Sequence, residues 1–269
     1  MTQLSDGQVS VSMGTLSHRG QARGAEMTDI KTSPETHLPA ERAARRLAAC
    51  VGVGALLGLL VGGIGGRLAM FALIRLSPEA SGTTSDDGFT MGQFTASGTF
   101  SLIALGTILG VLGGGIYFVL RGLMIGPRWF QILSIAGGAA VVVGAMLVHV
   151  DGVDFTLLDA GFAIAFFVAI PGVYAALLTV LIERWLAPGS RFLEAPKKFA
   201  LLPLIACIPL APLFVMLALA WVAGMGLREL APTRKLLSQP WMPWVARLAL
   251  TLIFVAAASN LVSDVATLT

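Results

Sequence analysis

The chain has 269 residues, 56% of them hydrophobic and only 12% charged, with a formal net charge of +3 and a mean hydropathy of +0.82. A soluble domain carries about 25% charged residues, so these figures exclude an ordinary soluble globular protein and point to long apolar runs held in a bilayer. The pI near 9.2 does not indicate nucleic acid: the basic residues flank apolar runs and form no stripe with interleaved aromatics.

Residues 1–40 are rich in Ser, Thr, Gly and Gln and have little apolar periodicity. They read as a disordered cytoplasmic tail. No secretory signal is expected, and Met13 and Met27 are alternative starts. The remainder, 41–269, reads as one transmembrane domain. Its lead-in, 38–46, is helix-compatible and ends in Arg42, Arg45 and Arg46.

Six apolar segments are long enough to span: about 47–74, 99–120, 129–150, 159–182, 200–224 and 243–264. Each has about 20 or more residues with few charges, the length an α-helix needs to cross a bilayer. The short alternating segments of a β-barrel are missing from the sequence. The expected fold is therefore an all-α polytopic bundle of six transmembrane helices.

Orientation follows from the flanks. Arg42, Arg45 and Arg46 precede the first span, Arg121 and Arg128 lie between the second and third, and Arg184, Arg191, Lys197 and Lys198 lie between the fourth and fifth. These regions belong in the cytoplasm. The alternate loops carry Glu79, Asp86 and Asp87, and then Asp151, Asp154 and Asp159. Both termini are then cytoplasmic, with Trp129 and Trp185 at the inner interface and Trp221, Trp241 and Trp244 at the outer. One loop conflicts. Residues 225–242 should face outside yet carry Arg228, Arg234 and Lys235 against Glu229. Either the violation is tolerated, or segment 200–224, interrupted by Pro203, Pro209 and Pro212, re-enters without crossing. The full span is the preferred reading.

Gly54, Gly58, Gly62 and Gly66 recur every four residues in the first span, and Gly106, Gly110 and Gly114 in the second. Small residues at this spacing form a helix ridge that lets backbones approach closely, and they predict packing among the first spans. A substrate path or homodimer contact along the ridge is the alternative. The GLLVGGIGGRLAM and GVLGGGIYFVLRGLM cores echo each other in composition.

Arg67 lies inside the first apolar run, roughly 12 Å below Arg75 at about 1.5 Å per residue. A charge at that depth faces the bundle or water, or snorkels to the headgroups. Asp86 and Asp87, in the loop that follows, are its nearest candidate partners. His149, Asp151 and Asp154 share their side, so a candidate polar site gathers Arg67, Asp86, Asp87, His149, Asp151 and Asp154. The bland alternative is a solvated acidic loop. His149 could titrate against these acids near neutral pH, but the HVDGVD spacing fits no metal site, and neither metal nor cofactor is expected. Cys50 and Cys207 read as small buried hydrophobes. Glu183 and Arg184 read as an interfacial charge pair. Ser97 in TASG lacks the glycine context of an intramembrane serine protease, and no other catalytic motif is present, so no enzyme is expected.

The succession GGIGGRLAM, SDDGF and GTILGVLGGGIY resembles uncharacterised bacterial multi-pass integral membrane proteins over about residues 50–125. The resemblance implies a cell-membrane location and brings no activity. Two functions are carried forward: transport of a small solute or ion through an outward-facing polar site, or a non-catalytic assembly or scaffold protein, a subunit of a larger membrane complex. The lipid bilayer is the expected partner, with a homo-oligomer or a membrane partner open.

Overall fold

The computed structural model describes residues 39–84, 88, 90, 92–93, 95–150, 155, 157–210, 239 and 241–268. The chain divides into two units, Met1–Ala40 and Glu41–Thr269. The second is described here. Its described residues are helical apart from turns and one isolated antiparallel bridge, Thr84 to Thr90. Among the described residues, five helices are long and apolar enough to cross a membrane: Glu41–Leu76, Ala96–Leu123, Arg128–Leu147, Ala160–Trp185 and Met242–Leu268.

The first of these is composite. Helix α1 (Pro39–Leu57) runs into a π-helical stretch, Gly58–Gly65, and continues as α2 (Gly66–Leu76). Four of the eight π-helical residues are glycines: Gly58, Gly62, Gly63 and Gly65. A π turn is wider than an α turn, and π segments are rare beyond one turn. Here the widening coincides with the place where α3 (Ala96–Leu120) presses closest. Added side-chain atoms measure how close. A Cβ on Gly58 would stand 2.7 Å from the Cα of Gly110, and one on Gly106 would stand 2.6 Å from the backbone nitrogen of Gly63. A Cβ on Gly54 would strike the carbonyl of Gly110, and one on Gly114 the carbonyl of Cys50. Two glycine ridges thus interlock backbone to backbone. Tyr174, from helix α5 (Ala160–Trp185), closes the seam. Its hydroxyl donates to the Gly110 carbonyl at 2.7 Å and fills the space left by the missing side chain of Gly113.

The other boundaries follow local chemistry. Thr95 caps α3, its hydroxyl accepting from the Gly98 amide at 3.2 Å. A 3₁₀ turn, Arg121–Leu123, ends that helix. Gly126, at φ +87°, and Pro127 turn the chain into α4 (Arg128–Leu147). Asp159 caps α5 (Ala160–Trp185), its Oδ1 accepting from the Phe162 amide at 3.1 Å. The short helices α6 (Arg191–Glu194) and α7 (Lys197–Leu201) follow, then a 3₁₀ segment, Leu202–Leu210, and finally α8 (Met242–Leu268).

The bundle has two ends. At the proximal end lie the start of α1, the end of α3, the start of α4 and the end of α5. Cys50, Val53, Leu57, Tyr117, Leu178 and Ile182 form the core there. At the distal end, Leu73, Val148, Phe155 and Ala163 pack together. Helix α8 lies alongside α4. Its first turns are proximal, because Arg247 donates to the carbonyl of Leu123 at 3.0 Å. Its last turns are distal, because Leu261 and Leu268 pack against the distal cluster.

This arrangement differs from the alternation expected of six spans with both termini cytoplasmic. That alternation starts the last span at the end where α2 finishes; instead α8 runs parallel to α4, and its start shares an end with Trp185 and Leu123. Trp244, expected at the interface opposite Trp185, sits at the same end, its ring 4.8 Å below the Arg247 guanidinium. Of the predicted fifth span, 200–224, residues 200–210 are described and form the end of α7 and the 3₁₀ segment; the rest lies outside the described residues.

Candidate functional site

Polar groups within the bundle gather in three places, each tied to a particular junction of segments. The distal one holds Arg67. It stands on α2 two residues past the π-helical stretch, is 9% exposed, and its Nη2 donates to the backbone carbonyl of Gln93 at 3.2 Å. The guanidinium therefore joins the first long helix to the loop leading into α3. Ten residues further along, the buried hydroxyl of Ser77 accepts the Asp159 amide at 2.9 Å and so pins the end of α2 to the start of α5. One of the expected outer carboxylates, Asp159, is thus a helix cap.

The sequence reading groups Arg67 with Asp86, Asp87, His149, Asp151 and Asp154. The four aspartates lie outside the described residues. His149 is exposed at the end of α4; its Nδ1 lies 3.0 Å from the Leu147 carbonyl and its ring meets Phe155 edge-on at 6.1 Å. Arg67 and His149 share the distal half.

Two further clusters, both proximal, were missed from sequence. Arg121 at the end of α3 and Glu183 at the end of α5 form a bidentate pair, Nε to Oε1 at 2.6 Å and Nη2 to Oε2 at 3.1 Å. Tyr117, 2% exposed, adds its hydroxyl to Oε1 at 3.2 Å. Such a fork-to-carboxylate geometry is the strong form of an ion pair. It corrects the expectation that Glu183 pairs with its neighbour Arg184. Tyr117 and Arg121 are one helical turn apart, so both reach a single carboxylate. That spacing was the available signal; the identity of the acid, 62 residues away, was not.

The other proximal cluster centres on Arg45, which is 4% exposed. Its Nη1 donates to the carbonyls of Leu193 at 3.1 Å and Ala195 at 2.9 Å, and its Nη2 contacts Glu41 at 3.3 Å. Glu41 also meets Lys197 at 3.1 Å. The sequence reading counts Arg45 among three topological charges. It is also a clamp holding the end of α6 and the residue after it against α1. Among the described residues, no group of three or more His, Cys, Asp or Glu side chains comes together in a way that could hold a metal.

A shallow apolar groove lies between α4 and α5, lined by small residues including Ala136, Ala140, Ala165, Ala169 and Gly172. No family model, curated protein or solved structure matches the chain.

Proposed function

We propose that the protein is a multi-pass protein of the bacterial cell membrane, its proximal end cytoplasmic, that serves as a non-catalytic assembly module within a larger membrane complex. The carrying observation is the use made of its internal charges. Arg45, Arg67 and the Arg121–Glu183 pair each bond two separate segments of the same bundle. Charged groups within a membrane domain are costly, and here their bonds go to holding segments in register. The proximal assignment rests on Arg45, Arg121, Arg128, Arg184, Lys197 and Lys198, which crowd that end.

Arg67→Leu tests the reading. On the assembly reading, the variant loses thermal stability in detergent and accumulates less, and Arg67→Lys recovers only part because an ammonium lacks the fork. A stable, normally inserted Arg67→Leu protein that fails only in a solute- or ion-dependent growth phenotype would favour transport instead. That second reading has one observation of its own. Arg67 and His149 occupy the same distal half of the bundle, the side to which the sequence also assigns Asp86, Asp87, Asp151 and Asp154.

A further inference from the structure

We infer that α5 ends and α8 begins at the same face of the membrane, so that the end of α8 emerges on the face opposite the start of α1. The inference rests on the multi-pass reading above, and on no assignment of which face is cytoplasmic.

Three observations carry it. First, both ends of the connection are anchored proximally. Helix α5 finishes at Trp185, whose ring stacks on Phe192 at 5.2 Å, and Arg45 of α1 holds the carbonyls of Leu193 and Ala195. Helix α8 starts beside Leu123, held by the Arg247 bond of 3.0 Å. An odd number of crossings between two points on one face is excluded.

Second, the chain after Lys197 does go inward. Ala200 is fully buried, and Pro203 packs against Gly52, where an added Cβ would come within 2.7 Å of the proline Cβ. Gly52 is seven residues beyond Arg45, about 10 Å deeper along a helix of about 1.5 Å rise. The 3₁₀ segment Leu202–Leu210 continues against α3. Non-α backbone at membrane depth is tolerated where protein covers it. Only one apolar run, 200–224, lies in this connection, and two full crossings need about 40 apolar residues.

Third, the charge pattern of the sequence fits. Arg228, Arg234 and Lys235, within 225–242, break the positive-inside pattern when six crossings are assumed but not when α5 ends and α8 begins at one face. The residues from Ser263 to the C-terminus contain Asp264 and no Lys or Arg, as suits the opposite face.

The test is side-specific labelling of the full chain, in a Cys50→Ala, Cys207→Ala background, with a membrane-impermeant maleimide. Single cysteines are placed at exposed positions: Pro188→Cys and Gln239→Cys at the proximal end, Glu79→Cys and Thr267→Cys at the distal end. The expected result is two matched pairs, Pro188→Cys with Gln239→Cys and Glu79→Cys with Thr267→Cys, one pair labelling in intact cells and the other only after permeabilisation. Pairing of Gln239→Cys with Glu79→Cys, or of Thr267→Cys with Pro188→Cys, would overturn the inference and establish a full crossing. Equal labelling of all four in intact cells would remove the membrane reading itself. Should the cysteine-free background fold poorly, epitope tags inserted at Gly189 and at the C-terminus of the unmodified chain give the same comparison. Opposite accessibility supports the inference and matched accessibility overturns it.

Discussion

Single side chains decide how this bundle is tied. Glu183 is the acceptor for both Arg121 and Tyr117, so its removal leaves a guanidinium and a hydroxyl without their carboxylate. Losing a hydrogen bond to a charged group costs about 1–3 kcal/mol. Glu183→Ala is expected to destabilise by that amount, and Arg121→Ala by a similar amount. The double variant is expected to cost less than the sum of the two. Thermal unfolding in detergent across the full cycle checks this; strict additivity would mean that the pair is not coupled. Arg67 was legible as a buried charge because it interrupts an apolar run. Its acceptor was not, because a backbone carbonyl at Gln93 leaves no signature in side-chain chemistry.

At the scale of elements, the seam between the first long helix and α3 is the tightest junction described. Gly58→Ala and Gly110→Ala each place a methyl against backbone that has no rotamer to yield. Overpacking of this kind costs about 1–3 kcal/mol. Gly115→Ala and Gly137→Ala meet nothing within 4 Å and are expected to be neutral or slightly stabilising. A thermal-shift series over these four variants separates the seam from glycine content in general; equal losses at all four would show that close approach is not the cause. Gly52→Ala, whose methyl would meet the Pro203 ring, is expected to loosen the segment after α7. Increased protease cleavage at that segment, with the rest of the bundle intact, would report it. The four-residue glycine spacing was readable from the sequence. The π-helical stretch between Gly58 and Gly65 was not, since the choice between i→i+4 and i→i+5 bonding depends on what presses against the helix.

Across the whole molecule, the order of ends is what matters. A bundle in which α8 runs parallel to α4 exposes its first and last helical turns on opposite faces. The groove between α4 and α5 and most of α8 face outward with apolar side chains. These surfaces suit hydrocarbon, or a neighbouring membrane helix. The assembly reading predicts that the protein migrates with a partner or as an oligomer after mild detergent extraction. A strictly monomeric species under conditions that preserve other membrane complexes would count against it.

The sequence by itself determined the class of object: apolar runs of spanning length, few charges, basic flanks and glycine ridges predict long apolar helices able to cross a bilayer, because lipid would enforce those properties segment by segment. Five of the six expected long helices are described, and the charge-breaking loop at 225–242 was visible as a conflict. Only the tertiary structure decided where α8 begins, at the end of the bundle where α5 finishes. Span counting assumes that each apolar run crosses once and carries no information on which ends of the helices meet. That came from long-range contacts, Arg45 on Leu193 and Ala195, and Arg247 on Leu123. The same holds for the Arg121–Glu183 pair. Partners in direct contact in space but dozens of residues apart in sequence are chosen by packing, which no window along the chain contains.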